Sequence, residues 1–122
     1  MRIGLKPRHL AAAAGSALLR RRTPLLVGWA VTNRCNLKCA YCRAHALKTE
    51  ELDTGTCLSL LEQMAVAGTA RVQFTGGEPL LRPDFGQLLQ RARTLGLFTT
   101  VSSNGVLVPE RAAELKSVGR LN

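Results

Sequence analysis

The stretch ARVQFTGGEPLLRPDFGQLLQRARTLGLFTTVSSNG, residues 70–105, alternates between strand-like and helical segments. Residues 70–76 and 97–103 are short apolar runs with β-branched and aromatic members, which favour strands. Residues 83–96 lie between them, begin with a proline and end with a glycine, a pattern typical of a helix. A strand, a helix and a second strand in succession predict two parallel strands joined by a crossover helix.

The same alternation continues on both sides of this stretch. Residues 25–32, LLVGWAVT, form a continuous apolar run that predicts a buried parallel strand. Residues 56–68 predict a helix, and residues 109–119 predict another with proline at its start and glycine at its end. The chain therefore predicts an α/β fold of three parallel βα units over residues 25–122, with no fourth strand after the last helix.

Residues 1–24 precede the first predicted strand and are interpreted as a basic N-terminal extension. Within it, residues 7–22, PRHLAAAAGSALLRRR, predict a helix because alanine favours helix and Arg20–Arg22 suit its negative C-terminal end. The net charge of +9 is concentrated before the first acidic residue, Glu50. We expect a solvated helix beside the domain; an export signal and a mitochondrial transit peptide are the alternatives.

Composition narrows the class of protein. A chain of 122 residues that is 46% hydrophobic is large enough to bury one core. Its four cysteines are too few for a secreted disulfide scaffold, which predicts a reducing, cytoplasmic compartment. The apolar runs are too short to span a membrane, and the basic residues lack the interleaved aromatic residues of a nucleic-acid-binding surface. We therefore expect neither a membrane nor a nucleic acid as a partner.

Three of the four cysteines lie within CNLKCAYC, residues 35–42, directly after the first predicted strand. Cys35, Cys39 and Cys42 cannot all pair with one another, and such near-neighbour thiols indicate a metal site. Three thiolates on a [4Fe–4S] cluster leave one iron open to a small molecule, by the logic of open catalytic metal sites. Cys57 stands apart on a predicted helix and is expected to be a core residue.

Glycine-rich and polar residues follow the other two predicted strands. Gly76-Gly77-Glu78-Pro79 follows the second strand, and Ser102-Ser103-Asn104-Gly105 follows the third. The carboxyl ends of parallel strands face one side of a sheet, where ligands bind. We therefore expect both segments to lie beside the cysteines.

These three segments together resemble motifs of the radical S-adenosylmethionine (radical SAM) superfamily. CNLKCAYC resembles its CxxxCxxC cluster loop, TGGEPLLR (75–82) its glycine-glycine-glutamate-proline motif, and SSNG (102–105) a SAM-contacting turn that many members carry. The resemblance extends from about Leu25 to the end of the chain. It implies that residues 25–122 are a truncated radical SAM core domain, about half of a partial (βα)6 TIM-like barrel.

The resemblance also implies an enzymatic activity and its partners. A [4Fe–4S] cluster on the three cysteines would bind S-adenosylmethionine and cleave it reductively to methionine and a 5′-deoxyadenosyl radical. That radical would abstract a hydrogen from a substrate of unknown identity, either a peptide or a cofactor precursor. Further implied partners are a one-electron donor of the flavodoxin or ferredoxin type and a polypeptide that completes the barrel.

The same resemblance implies which side chains contact S-adenosylmethionine. Glu78 would accept a hydrogen bond from its ammonium group, and Gly76 and Gly77 would let the backbone approach it. Pro79 would fix the turn and prevent the strand from continuing. The remaining expected contacts are Tyr41, Ser102, Ser103 and Asn104.

Other readings of the cysteines stay open at this point. His45 completes a CxxxCxxCxxH string, which also suits a Cys₃His zinc site. A non-catalytic fragment or an iron–sulfur relay is a further alternative. Because zinc leaves the GGEP and SSNG segments unexplained, we expect His45 to be a loop residue and not a ligand.

Overall fold

The structure, a computed structural model, describes residues 7, 10, 11, 14, 15, 23–116 and 118–122. Residues 7, 10, 11, 14 and 15 are helical, within the range of the predicted N-terminal helix. The rest of that predicted helix, including Arg20–Arg22, lies outside the described residues.

A parallel sheet with the strand order β1-β2-β3-β4 forms the centre of the domain. The strands are β1 (Leu26–Thr32), β2 (Arg71–Gly76), β3 (Phe98–Val101) and β4 (Arg120–Leu121). The helices are α1 (Thr54–Val66), α2 (Phe85–Thr94) and α3 (Val108–Leu115), with short 3₁₀ turns at Ala44–Ala46 and Pro79–Leu81. The α/β class and the three parallel βα units predicted from the sequence are confirmed.

The expectation that no fourth strand follows the last helix was wrong. Arg120–Leu121 pairs in parallel with β3, and Asn122 N–H donates to the carbonyl oxygen of Val101 at 2.8 Å. Gly119 N–H adds a bond of 3.0 Å to the carbonyl oxygen of Thr99. A two-residue strand has no hydrophobic periodicity to reveal it, so only the ladder hydrogen bonds identify it.

The core lies between one face of the sheet and the helices. Alternate strand residues point into it, among them Val31, Val72, Phe74 and Val101, and all four are buried. Phe74 meets Phe85 of α2 edge-on, with ring centroids 5.4 Å apart and an interplanar angle of 86°, a favoured aromatic geometry. Helices therefore cover this face, as βα crossovers require.

The opposite face of the sheet includes a register row of small and polar residues. Gly28, Gln73 and Thr100 are neighbours in register across β1, β2 and β3 on that face. Gln73 Nε2 donates to Ser102 Oγ at 3.2 Å, which links this face to the loop after β3. The candidate site lies at the carboxyl ends of the strands, at the edge of the sheet where its two faces meet.

Among the residues that the structure describes, no helix combines the length and the apolar character needed to cross a membrane.

Candidate functional site

The loops after β1 and β2 are joined by backbone hydrogen bonds at the carboxyl end of the sheet. Gly77 N–H donates to the carbonyl oxygen of Thr32, and Glu78 N–H donates to that of Arg34, both at 2.8 Å. Thr32 ends β1, and Arg34 immediately precedes the first cysteine. The GGEP segment therefore packs directly against the start of the cysteine loop.

Two glycines make this close approach possible. Gly76 has a φ of +134°, which residues with a β-carbon rarely adopt. A β-carbon at Gly76 would overlap the carbonyl oxygen of Thr32, and one at Gly77 would overlap that of Arg34. The two glycines thus bring the two loops together, and their close approach to a ligand stays a prediction from the sequence.

Glu78 connects the loop after β2 to the loop after β3. Its side chain is fully buried. Leu80 N–H donates to Oε1 at 3.0 Å, Asn104 N–H donates to Oε2 at 2.7 Å, and Ser103 Oγ lies 3.0 Å from both oxygens. Three donors thus meet the two carboxylate oxygens, and because the Ser103 hydroxyl has a single proton, at least one of their four lone-pair positions stays open to a further donor.

Asn104 connects the loop after β3 back to the cysteine loop. Its Nδ2 donates to Asn36 Oδ1 at 2.7 Å and lies 3.8 Å from Cys35 Sγ. Together with Glu78, it completes a hydrogen-bonded path through all three loops. The structure therefore brings together residues that are up to 69 positions apart in the sequence.

The other predicted contact residues lie at different depths around this path. Pro79 is buried and begins a 3₁₀ turn, and β2 ends three residues earlier, as the sequence analysis expected. Ser102 accepts the hydrogen bond from Gln73. Tyr41 is 92% exposed, so in this structure its ring covers no part of the site.

The three clustered cysteines are free thiols that are partly exposed, whereas Cys57 is buried in the core as predicted. Cys42 N–H donates to the carbonyl oxygen of Cys39 at 3.1 Å, and Leu37 N–H donates to Cys35 Sγ at 3.5 Å. Among the described residues, no three His, Cys, Asp or Glu side chains converge on a single metal ion. The side chain of His45 lies outside that description.

A buried ion pair that the sequence analysis did not identify holds both ends of the cysteine loop. Arg82 donates two hydrogen bonds to Asp84, at 2.9 and 2.6 Å. The same guanidinium donates to the carbonyl oxygens of Val31, at 2.9 Å, and Leu52, at 3.0 Å. Val31 lies just before the loop that contains the cysteines, and Leu52 lies just after it. The signal available in the sequence was a charged pair, Arg-Pro-Asp, inside an otherwise apolar run.

Electrostatics agree with this geometry. The hydrogen bond from Arg82 holds the pKa of Asp84 below its ordinary value, and Asp84 in turn raises the pKa of Arg82. A second ion pair also joins the two ends of the cysteine loop. Arg34 donates hydrogen bonds of 2.7 and 3.0 Å to Glu51, and these lower the pKa of the Glu51 carboxyl. Thr32 Oγ1 donates to the same Glu51 carboxylate.

The sequence that forms this arrangement also matches a known protein family. The family model of the radical SAM superfamily matches residues 29–122. The chain belongs to the radical SAM superfamily. Members of this superfamily use a [4Fe–4S] cluster and S-adenosylmethionine, as the motifs predicted for this chain.

Curated relatives of this radical SAM chain include two kinds of enzyme. The PqqA peptide cyclase of Xanthomonas oryzae pv. oryzae is 46% identical over 86 residues, which cover 68% of this chain and 23% of the relative. The Fe-coproporphyrin III synthase of Methanosarcina barkeri is 40% identical over 102 residues, which cover 80% of this chain and 25% of the relative. The chain thus spans about a quarter of the length of these relatives.

Solved structures share the fold of this radical SAM chain. Streptococcus suis SuiB bound to S-adenosylmethionine has a TM-score of 0.72 at 24% identity, with 91% of this chain and 28% of SuiB covered. BtrN in complex with AdoMet and 2-DOIA has a TM-score of 0.69 at 23% identity, with 80% of this chain and 44% of BtrN covered. The parallel sheet and its helices are therefore arranged as in these two proteins.

The donor set of this loop fits a [4Fe–4S] cluster. Thiolates are the protein ligands of such clusters, and each thiolate binds a different iron, so the sulfurs need not converge on one point. A zinc ion, by contrast, requires all its ligands within about 2.0–2.3 Å of one centre. The loop also carries positive charges, which suit an anionic cluster: Arg34, Lys38, Arg43 and Lys48.

Proposed function

We propose that this protein is a radical SAM enzyme in which Cys35, Cys39 and Cys42 hold a [4Fe–4S] cluster beside a site for S-adenosylmethionine. When bound and reduced, such a cluster would supply the electron for cleavage of a carbon–sulfur bond of S-adenosylmethionine, which would start radical chemistry on a substrate. The observation that carries the proposal is the hydrogen-bonded path from Glu78 through Asn104 to Cys35. It joins the three family motifs at one edge of the sheet.

We propose that the loops after β2 and β3 form the wall on which S-adenosylmethionine lies. Ser102, Ser103 and Asn104 offer hydroxyl and amide groups that suit its carboxylate or ribose. Glu78 suits its ammonium group because the single Ser103 proton is shared between both carboxylate oxygens, which leaves a lone-pair position for a further charged donor. Gly76, Gly77 and Pro79 fix the backbone that presents Glu78.

We propose that Tyr41 moves onto the site when S-adenosylmethionine binds. Its ring is 92% exposed and directly precedes Cys42, so a change confined to the loop can bring it over the adenine or the cluster. Removing an exposed aromatic ring from water is energetically favourable, which would favour this movement.

The substrate that we propose is a peptide, with a cofactor precursor as the other class. The curated PqqA peptide cyclases bear a peptide in their name, and SuiB has been crystallised with the precursor peptide SuiA. We propose that residues 25–122 supply the first half of the barrel and that further strands complete it, from this protein or another polypeptide. A cytoplasmic location and a flavodoxin or ferredoxin as electron donor fit the free thiols and the basic cysteine loop.

The test is anaerobic reconstitution with iron and sulfide, followed by reduction and addition of S-adenosylmethionine. We expect a [4Fe–4S] absorption and EPR spectrum, and we expect 5′-deoxyadenosine as a product. The matched pair of variants is Cys39→Ala and Cys57→Ala, because both remove one thiol but only Cys39 lies in the cluster loop. Cys39→Ala should abolish the cluster spectrum and the formation of 5′-deoxyadenosine, and Cys57→Ala should retain the cluster.

Three other results would contradict parts of this proposal. A cluster that forms without 5′-deoxyadenosine would make this chain an iron–sulfur module that needs another polypeptide for catalysis. Binding of one zinc ion with no cluster would replace the proposed cofactor altogether. Retention of the cluster in Cys39→Ala would place the cluster elsewhere.

A further inference from the structure

The amide group of Asn104 lies against a cysteine that the proposed function assigns to the cluster. Its Nδ2 lies 3.8 Å from Cys35 Sγ, within the range of an N–H···S hydrogen bond, and 2.7 Å from Asn36 Oδ1. Leu37 N–H provides a second donor to the same sulfur at 3.5 Å. Cys35 is therefore a thiol that receives two N–H groups from the protein.

The orientation of this amide is determined by its other contacts. Val106 N–H donates to Asn104 Oδ1 at 3.1 Å, so the oxygen faces the loop after β3 and the nitrogen faces Cys35. The backbone of Asn104 is held in turn, because its N–H donates to the buried carboxylate of Glu78 at 2.7 Å. The donor is thus preorganised for the sulfur before any cofactor binds.

From this geometry we infer that Asn104 is a positioning residue that raises the reduction potential of the cluster by donating a hydrogen bond to the Cys35 sulfur. Reduction adds one negative charge, and a hydrogen-bond donor stabilises the more negative state. Hydrogen bonds to the sulfurs are among the factors that set the potentials of iron–sulfur clusters. The inference rests on the proposed function, since it requires the cluster to assemble on Cys35.

Two variants separate this effect from simple disturbance of the loop. Asn104→Leu removes the donor and keeps a side chain of similar size. Asn36→Leu removes the acceptor that shares the same amide but leaves Asn104 free to donate to Cys35. Both variants lose the hydrogen bond between Asn36 and Asn104, whereas only Asn104→Leu loses the donor to sulfur, together with the acceptor for Val106 N–H within its own loop.

The measurement is a redox titration of the reconstituted protein, followed by the EPR signal of the reduced cluster. It is done without S-adenosylmethionine, so that contacts of Asn104 with that cofactor do not contribute. Loss of one neutral hydrogen bond changes an equilibrium constant about three- to tenfold. A tenfold change is about 59 mV for a one-electron couple, so we expect Asn104→Leu to shift the potential downward by up to about that amount. Asn36→Leu should not lower it.

The outcomes distinguish this inference from the proposed function. If Asn104→Leu binds iron like the wild type and keeps the wild-type potential, Asn104 does not tune the cluster, and the proposed function is unaffected. If Asn36→Leu lowers the potential equally, the cause is the loop and the inference is wrong. If the wild type itself assembles no cluster, the proposed function fails and this inference fails with it.

Discussion

The buried pair of Arg82 and Asp84 offers a sharp test of what holds the cysteine loop in place. The Arg82 side chain is 4% exposed and that of Asp84 is 11% exposed, so water screens their interaction little. We predict that Arg82→Met, which keeps the length of the apolar stem, destabilises the protein severely. The substitution removes the partner of a buried carboxylate and leaves two carbonyl oxygens without their donor.

The expected magnitude follows from the fact that the charge of Asp84 stays buried. Removal of one partner of a buried ion pair costs about 3–5 kcal/mol in the free energy of unfolding, a large share of the roughly 5–15 kcal/mol of a typical domain. With a urea slope of about 2 kcal/mol/M, this loss lowers the unfolding midpoint by about 1.5–2.5 M. Replacing both partners, in Arg82→Met with Asp84→Leu, should recover part of the loss because no buried charge then remains unpaired.

The chain contains a matched control for this measurement. Arg91 forms an ion pair with Glu62 on the surface, where the two side chains are 38% and 50% exposed. Arg91→Met should therefore cost only about 0–1 kcal/mol. The assay is urea unfolding of all variants, followed by circular dichroism at pH 7. If Arg82→Met shifts the midpoint no more than Arg91→Met, the pair does not hold the loop and the reasoning is refuted.

Three further predictions concern the same region. The pKa of Asp84 lies below its ordinary value of 3.8, so the stability that its pair with Arg82 provides is present above about pH 4 and is lost as the pH falls through the lower, folded-state pKa; acid titration of unfolding should show a larger loss in the wild type than in Asp84→Asn, in which Glu51 still titrates. Gly77→Ala should lower the stability of the fold and the iron content after reconstitution, because its β-carbon would overlap the backbone of Arg34. Gly28→Ala is the control and should leave both unchanged, because a β-carbon at Gly28 would meet no atom within 4 Å. Burial raises the pKa of the Cys57 thiol, so in the native apoprotein it should react with a thiol reagent more slowly than the three loop cysteines, and equal rates would contradict its burial.

Local patterns in the sequence determined the class of fold and the family. The strands and helices follow from the change between apolar runs and helical segments bounded by proline and glycine, which is information contained in neighbouring residues. The three clustered cysteines likewise lie within eight consecutive residues. Such features need no knowledge of which distant residues meet, and for that reason the sequence alone predicted them.

The contacts that organise the site were decided by the tertiary structure. Arg82 reaches Val31 across 51 residues, and Asn104 reaches Asn36 across 68. The sequence predicted that GGEP and SSNG would lie near the cysteines, because the carboxyl ends of parallel strands share one edge. It did not predict that Glu78 accepts hydrogen bonds from backbone and hydroxyl donors or that Arg82 links both ends of the cysteine loop, because these roles depend on which atoms come within hydrogen-bonding distance once the sheet has formed. The residue types and their order thus indicated the chemistry of the site. The packing of the strands decided which side chains hold one another in position.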